Sequence, residues 1–319
     1  MQTPRDKSPV IAASIAGFLI LLAVAALTYW ATPFPKNKPS IFPTDEGDAA
    51  ATAAAPQTSD PSIASLTPAG TDLILGIGAV DHLVAVSDLD EPRDGTDGLP
   101  QIGDFNNVDW EKLASVSPKI LLTQFGDRMP PGFSDRAKEL GIGILDVRLN
   151  VLEDVFSEAQ RVGQTLGEGD KAAQAVMGLK RQLSLIEQAN ENYPRIRTAI
   201  AITEGGSVSI IGPGTFHDEI LTIAGGENVA TDAKLNKPYI PIDRELLSRL
   251  APDAILDLEP AGPSTPQQMR QAARFWASVP DLPAVRNNQV HVITEPYCLR
   301  PGWHSADLAA AFAKALHER

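Results

Sequence analysis

The sequence contains a single cysteine, Cys298, among its 319 residues. No intrachain disulfide can therefore form, even in an oxidising compartment. Clustered basic residues are also missing, since 27 Lys and Arg stand against 40 Asp and Glu and the formal net charge is −13. Binding to a nucleic-acid backbone depends on clustered cations, so this composition argues against nucleic acid as a partner.

The signature motifs of several enzyme classes are absent as well. The sequence has no Gly-x-Ser-x-Gly turn, no His-Glu-x-x-His pair, no Walker A loop and no Gly-x-Gly-x-x-Gly run that opens a helix after a strand. Gly212-Pro-Gly214 resembles a phosphate-binding turn, but Pro213 lacks one of the amides that would bind. We therefore expect a protein that is not an enzyme and that has no resident cofactor. A two-lobed glycosyltransferase is the strongest enzymatic alternative.

The N-terminal part of the chain differs in composition from the rest. Residues 10–30 are apolar, follow the basic residues Arg5 and Lys7, and are near the lower length limit for a membrane-spanning helix. They predict a signal anchor or signal peptide, and we favour an uncleaved anchor because the small-residue triplet Ala23-Val-Ala25 lies inside the apolar run. Residues 1–9 would be a cytoplasmic stub. Residues 31–62, rich in Pro, Ala, Thr and Ser, predict a disordered tether.

Two later segments repeat each other without a gap. Asp109 to Thr123 aligns with Asp243 to Asp257, with identities at Asp, Glu, Leu, Pro and Leu. Each segment predicts a short helix closed by proline and followed by a buried strand of a parallel sheet. Ile63 to Thr71 similarly resembles Val208 to Thr215, which suggests that the repeat begins with a strand and a turn in both halves. The repeat predicts two related lobes.

A long helix is predicted between the two halves, over residues 169–192. Asp170 suits the N-cap, Asn192 and Pro194 suit the end, and apolar residues recur at helical spacing at Val176, Leu179, Leu183, Ile186 and Ala189. The alternative is an amphipathic helix within a single domain. We predict an α/β protein with two Rossmann-like lobes, each a parallel sheet with flanking helices: residues 63–166, a linking helix over residues 167–193, and residues 194–319.

The ends of the predicted strands indicate where a ligand would bind, because ligands of parallel sheets lie outside the carboxyl ends of the strands. In the first lobe this rule nominates Thr67, Pro68, Asp88, Phe105, Gln124, Phe125 and Arg128. In the second lobe we nominate His217, Tyr239, Glu259, Tyr297, Arg300 and Trp303. Tyr297 and Trp303 could lie flat against a macrocycle, and Arg300 could pair with an anionic group. The alternative for each residue is a role in a turn, a cap or the core.

The ordered series of segments across both lobes resembles the iron-complex and cobalamin solute-binding proteins of ABC importers. The resemblance covers nearly everything after Ile63, and its segments are residues 63–79, 84–92, 99–105, 111–122, the long helix, and residues 212–216, 225–228 and 244–256. It implies two Rossmann-like lobes that are joined by one long helix and hold the ligand in the cleft between them. Ala69 and Gly103-Asp104 depart from the family's pattern at the rim of the cleft, so ligand identity cannot be transferred.

The resemblance also implies a function and two docking residues. The chain would be the extracytoplasmic solute-binding subunit of an ABC importer, tethered to the cell membrane, which binds an iron–siderophore complex or cobalamin unchanged and delivers it to a permease. In the family a glutamate on each lobe engages arginines of the permease, and the matching positions are Glu111 and Glu245. The alternative is a solvated glutamate that suits the helix dipole. Nothing in the sequence suggests an oligomer, so we expect a monomer.

Two other functions stay open at this point. A haem or metal-ion binder of the same fold could use His217 and His304, but two histidines without a carboxylate or thiolate at ligand spacing are weak grounds, and we predict no metal site. A membrane-anchored two-lobed enzyme or a sensor would also place a ligand between lobes, because fold alone does not determine function.

Overall fold

The computed structural model describes residues 59–204, 207–232, 237–259 and 265–317. The predicted stub, the predicted anchor segment and residues 31–58 of the predicted tether lie outside these ranges. Within them, no helix combines the length and the apolar character that crossing a membrane requires. The described residues form two α/β lobes, which confirms the predicted fold class.

The first lobe is built on four strands: β1 (Ile63–Ser65), β2 (Leu83–Ala85), β3 (Ile120–Thr123) and β4 (Gly143–Asp146). They form a parallel sheet in the order β2-β1-β3-β4. The central strands β1 and β3 are almost wholly buried, as their short aliphatic sequences predict. The helices of this lobe are α1 (Pro68–Gly76), α2 (Trp110–Val116), α3 (Phe133–Glu139) and α4 (Leu152–Thr165).

The ordered part of the first lobe includes residues 59–62, which we had assigned to the tether. The Ser59 N–H donates to the carbonyl of Asp81 (2.8 Å), and the carbonyl of Ser62 accepts from the N–H groups of Lys119 (3.0 Å) and Ile120 (3.1 Å). The predicted boundary at residue 63 is therefore too late. Backbone groups make most of these contacts, the Ser62 hydroxyl also accepts the N–H of Lys119 (3.2 Å), and no motif in residues 59–62 signals them.

Helix α5 (Gly169–Asn190) follows α4 and runs from the first lobe to the second. Its 22 residues span about 33 Å. It starts one residue before the predicted N-cap, so Asp170 lies in the first turn, and it ends at Asn190 rather than Asn192. Val176, Leu179 and Leu183 are buried, as their helical spacing predicts.

The described residues of the second lobe form six strands: β5 (Ile196–Glu204), β6 (Ser207–Ile211), β7 (Gly226–Asn228), β8 (Tyr239–Ile242), β9 (Ala254–Leu258) and β10 (Val290–Ile293). The sheet has the order β10-β9-β5-β6-β8, and β7 also pairs with β5. The helices of this lobe are α6 (Phe216–Ile223), α7 (Arg244–Leu250), α8 (Thr265–Ala277), α9 (Pro283–Arg286) and α10 (Ser305–His317).

The second sheet is mixed, which corrects the prediction of a purely parallel one. Strand β6 runs antiparallel to β5, and β8 runs antiparallel to β6. Only Gly205 and Gly206 separate β5 from β6 in the sequence, and a parallel crossover needs a dozen or more residues. Two glycines between apolar runs are a hairpin signal that our sequence prediction overlooked.

The helix-to-strand repeat is present in both lobes. Asp109 and Asp243 are N-caps whose carboxylates accept the N–H groups of Lys112 (3.0 Å) and Leu246 (2.7 Å). Helices α2 and α7 each end on a left-handed residue before a proline, Ser117 (φ 50°) and Ala251 (φ 43°). The strands that follow, β3 and β9, each lie between two parallel neighbours.

The start of the repeat is corrected by the strand pairing. Ile63 pairs with Ile120 and Thr198 pairs with Ala254, so the counterpart of β1 is the part of β5 that begins at Thr198. The predicted counterpart, Val208 to Ile211, is the antiparallel strand β6, which has no equivalent in the first lobe. The two turns resemble each other because both precede a helix, α1 or α6.

One hydrophobic core extends through both lobes. It includes Leu73 of α1, Val155 of α4, Leu179 of α5, Ile220 of α6 and Phe312 of α10, all nearly or fully buried. Two separate clusters cover the outer faces of the sheets, one around Leu113 and Leu121 and one around Ile210 and Trp276. The lobes are therefore joined by a shared helical layer in addition to the single helix that connects them.

Candidate ligand-binding cleft

Two adjoining cavities lie where the lobes meet. One, of about 390 Å³, is lined by the first lobe, and the other, of about 470 Å³, is lined mainly by the second. Leu149 and Asn150, in the segment after β4, line both. The carbonyl of Asn150 accepts the N–H of Phe216 (3.0 Å), so the chain contacts the second lobe at this point. Both volumes lie in the range of small-molecule sites.

Asp146, at the carboxyl end of β4, positions the loop that forms the first-lobe wall. Its carboxylate accepts hydrogen bonds from the hydroxyl of Thr123 (2.7 Å) and from the N–H groups of Phe125 (2.8 Å) and Gly126 (2.9 Å). The hydroxyl of Thr67 donates to the side-chain oxygen of Gln124 (3.2 Å). These contacts hold residues 124–128 at the end of the sheet.

Three charged side chains line the first-lobe cavity. Arg148 lies 3.1 Å from the carboxylate of Asp127 and forms an ion pair with it. Arg128 lines the same cavity and has no ion pair among the described residues. The ring of Phe125 packs edge-on against Phe133, with centroids 4.8 Å apart, so part of it belongs to the core.

His217 is part of the second-lobe wall and is also a structural residue. The ring is only 3 % exposed, and its Nε2 lies 2.9 Å from the carbonyl of Cys298. Burial lowers the pKa of His217 to about 4. The neutral ring therefore donates its Nε2 proton to that carbonyl and ties α6 to the segment after β10, which leaves Nε2 unavailable to a metal.

The rest of the second-lobe wall is largely apolar. Tyr239 is 55 % exposed and lies at the start of β8, after Lys237 and Pro238. Thr215 caps α6 by accepting from the N–H of Asp218 (3.3 Å). The other apolar lining residues are Leu149, Ile211, Pro213, Phe216 and Pro301.

Trp303 packs against Gly76 of the first lobe and does not line either cavity. A Cβ atom at Gly76 of α1 would lie only 2.2 Å from the indole, so the ring covers that glycine. The sequence did not reveal this contact because the two residues are far apart in the chain. Arg300 has a buried Nε atom without a hydrogen-bond partner among the described residues, and Pro301, which follows it, lines the second-lobe cavity.

His304 connects the two lobes. Its Nδ1 lies 3.0 Å from Asp307 of α10, and its Nε2 lies 3.7 Å from Asp72 of α1, which also pairs with Arg93 (2.8 Å). The hydrogen bond to Asp307 and the contact with Asp72 raise the pKa of His304 to about 9. Tyr297 stacks on the imidazole with centroids 4.4 Å apart, and burial raises the pKa of Tyr297 to about 12. Both nitrogens of His304 are thus engaged within the fold.

The cavities bring together five of the nominated residues, namely Gln124, Phe125, Arg128, His217 and Tyr239. The others do not line either cavity. Thr67 and Pro68 are buried at the start of α1, Phe105 is exposed, and Asp88 accepts the N–H of Gly103 (2.9 Å). Glu259 is buried, and burial together with the neighbouring Asp257 raises its pKa to about 7.

Several lining residues were missed by the sequence prediction. Arg148, Leu149 and Asn150 follow β4, and the strand-end rule applied to that strand would have found them. Lys237 precedes a strand rather than following one, so the rule does not reach it. Among the described residues, no group of three or more His, Cys, Asp or Glu side chains is arranged to hold a metal ion.

The two nominated docking residues occupy equivalent positions. Glu111 and Glu245 lie in the first turns of α2 and α7, two residues after the N-cap aspartates, and both are exposed. Glu245 has one distant partner, Arg249 at 3.8 Å.

Known proteins resemble this chain in sequence and fold. A family model described as periplasmic binding protein matches residues 63–297. The vitamin B12-binding protein of Vibrio parahaemolyticus is 21% identical over 241 residues, which cover 75% of this chain and 83% of the relative. A possible iron-binding periplasmic solute-binding protein of Staphylococcus epidermidis has a TM-score of 0.70 and 18% identity and covers 81% of this chain and 99% of that one. A periplasmic heme-binding protein of Vibrio cholerae has a TM-score of 0.69 and 21% identity, with coverages of 80% and 98%.

Proposed function

Because the chain belongs to the periplasmic binding protein family, we propose that it is the extracytoplasmic solute-binding subunit of an ABC importer. It binds an iron–siderophore complex or a corrinoid between its lobes and presents the ligand to a permease without altering it. The relatives are binding proteins, which supports a role other than catalysis.

The observation that carries this proposal is the pair of adjoining cavities between the lobes. Residues from both lobes line them, and Leu149 and Asn150 line both, so the two cavities adjoin. A ligand that fills both cavities would contact loop 124–128 on one side and α6 on the other. Because one hydrophobic core spans both lobes, we expect the lobes to rotate by only a few degrees when the cleft closes on a ligand. Small-angle X-ray scattering with and without ligand would contradict this if it showed a large compaction.

Ligand binding is tested with the purified full-length chain and a panel of cobalamin, haemin and several ferric siderophores. Intrinsic Trp fluorescence reports binding, and mass spectrometry of the recovered ligand reports its chemical state. The proposal predicts tight binding of at least one member, which is recovered unchanged. A chemically altered ligand would favour an anchored enzyme, and a membrane partner without permease character would favour a sensor.

A haem ligand is kept as a second candidate because the exposed Tyr239 phenol lies in an apolar wall that suits a planar macrocycle. The version of this candidate that uses His217 and His304 loses support, because both rings already bind groups of the fold.

Docking to the permease is proposed for Glu111 and Glu245. Their equivalent positions in the two lobes support contact with two equivalent arginine sites on a membrane partner. Replacing both with alanine should leave ligand affinity unchanged and abolish uptake of labelled ligand by cells. Glu187→Ala, on the exposed face of α5, serves as the control and should leave uptake intact. Normal uptake by the double variant would contradict the docking role.

We also propose that residues 10–30 hold the protein at the outer face of the cell membrane. Their apolar sequence supports this. Extraction of membranes with carbonate tests it, since an anchored chain stays in the pellet and a cleaved chain is released.

A further inference from the structure

The two halves of the cleft differ in chemistry. The lining of the second-lobe wall is largely apolar and includes the exposed Pro238 and Tyr239 and the buried Ile211 and Phe216. The first-lobe wall presents the amide of Gln124 and the charged groups of residues 127, 128 and 148. A ligand that fits both halves therefore has one apolar face and one polar end.

The polar parts of the cleft carry an excess of positive charge. Asp127 is the single acidic residue that lines either cavity within the described ranges, and Arg148 pairs with it at 3.1 Å. Arg128 and Lys237 then remain, one on each lobe, and neither has an ion pair among the described residues. This excess is unusual in a chain with a net charge of −13. A cleft that is lined by charges of one sign and has low-dielectric walls concentrates ligands of the opposite charge.

We infer that the cleft selects an amphipathic anion, with carboxylate or catecholate groups toward Arg128 and Lys237 and an apolar face against the second lobe. The inference rests on the proposed function, because it specifies the class of ligand that the same cleft binds. Arg128 and Lys237 are then specificity-determining residues: each gains a charge-assisted contact with the anion. A ligand without free anionic groups leaves both cations uncompensated when the cleft is filled.

The test compares ligands of different charge. The anionic probes are haemin, with two carboxylates, and a ferric tris-catecholate; the probes without such groups are cobalamin and a neutral ferric trihydroxamate. Dissociation constants are measured with the full-length chain, with Arg128→Gln and Lys237→Gln, and with Lys138→Gln as the matched control, since Lys138 is an exposed cation of α3 outside both cavities. All three side chains are exposed, so the substitutions leave the core intact.

We expect an anionic probe to bind at least about 100-fold more tightly than either neutral probe, and its affinity to fall as salt is raised. Each cleft variant should weaken that probe about tenfold, whereas Lys138→Gln should not. Equal affinity for a neutral probe, or unchanged affinity in both cleft variants, would overturn the inference and leave the proposed function standing. Failure of every probe to bind would overturn the proposed function and this inference with it.

Discussion

His304 allows the contact between the lobes to be tested by pH. Its imidazole is held between Asp307 of α10 and Asp72 of α1, and these contacts raise its pKa from 6.5 to about 9. Asp72 also pairs with Arg93, at 2.8 Å. Tyr297, stacked on the ring, has a pKa of about 12 and does not titrate in this range.

The sign and the size of the effect follow from this difference in pKa. A group that binds its proton more tightly in the folded state stabilises that state fully below pH 6.5, and the stabilisation is lost as pH rises through about 9. A pKa difference of this size corresponds to roughly 3 kcal/mol. The side chain of His304 is 34 % exposed, so screening by solvent reduces the expected effect to about 1–2 kcal/mol.

The assay is urea unfolding, followed by Trp fluorescence, of the wild-type protein and His304→Gln. The variant should be less stable by about 1–2 kcal/mol near pH 6, and the two proteins should converge above the folded pKa of about 9. His291→Gln is the control, because His291 contacts Gln289 on the same lobe and has a lowered pKa. If the difference in unfolding free energy between the wild-type protein and His304→Gln stays constant or grows as pH rises, the ion-pair account is refuted.

Three further predictions concern the core and the buried histidine. His217 has a folded pKa of about 4, so the stability of the wild-type protein should decline as pH falls below 6.5. Urea unfolding at several pH values should show a flatter decline for His217→Gln. Parallel plots of stability against pH for the two proteins would contradict the burial of His217 as a neutral ring. Gly76→Ala should destabilise the protein by about 1–3 kcal/mol because the new Cβ meets the Trp303 indole. Gly178→Ala should stabilise it, because the new Cβ in α5 has open space around it. Thermal melts that rank the two variants in the opposite order would contradict the packing of Trp303 on Gly76. Phe312→Ala should cost about 3–5 kcal/mol while calorimetry still shows one transition, and separate melting of the lobes would argue against a shared core.

The parts of the fold that the sequence predicted are those set by local signals. Asp109 and Asp243 identify two helix starts, and the prolines after α2 and α7 identify their ends, because capping and chain termination depend on a few adjacent residues. The direction of β6 was also available locally, in Gly205 and Gly206, but the resemblance of its turn to that after β1 suggested a parallel strand instead.

The candidate site was predictable only where its residues follow strands. Gln124 and Arg128 were found by the strand-end rule, whereas Asp146 was not, since its role depends on three hydrogen bonds to a loop elsewhere in the chain. The packing of Trp303 on Gly76 and the approach of His304 to Asp72 depend on tertiary contacts between opposite ends of the described chain. No periodicity or motif encodes such contacts.

The helical layer that both lobes share restricts how such a protein can be recombined. A cut within α5 would leave each fragment with an uncovered apolar face, so the fragments should need one another to stay soluble. Exchanging one lobe for that of a relative would require the whole buried face of α5 and α10 to be matched again. New binding preferences are then easiest to obtain by altering the loops around residues 124–128 and 237–239, which lie outside that core.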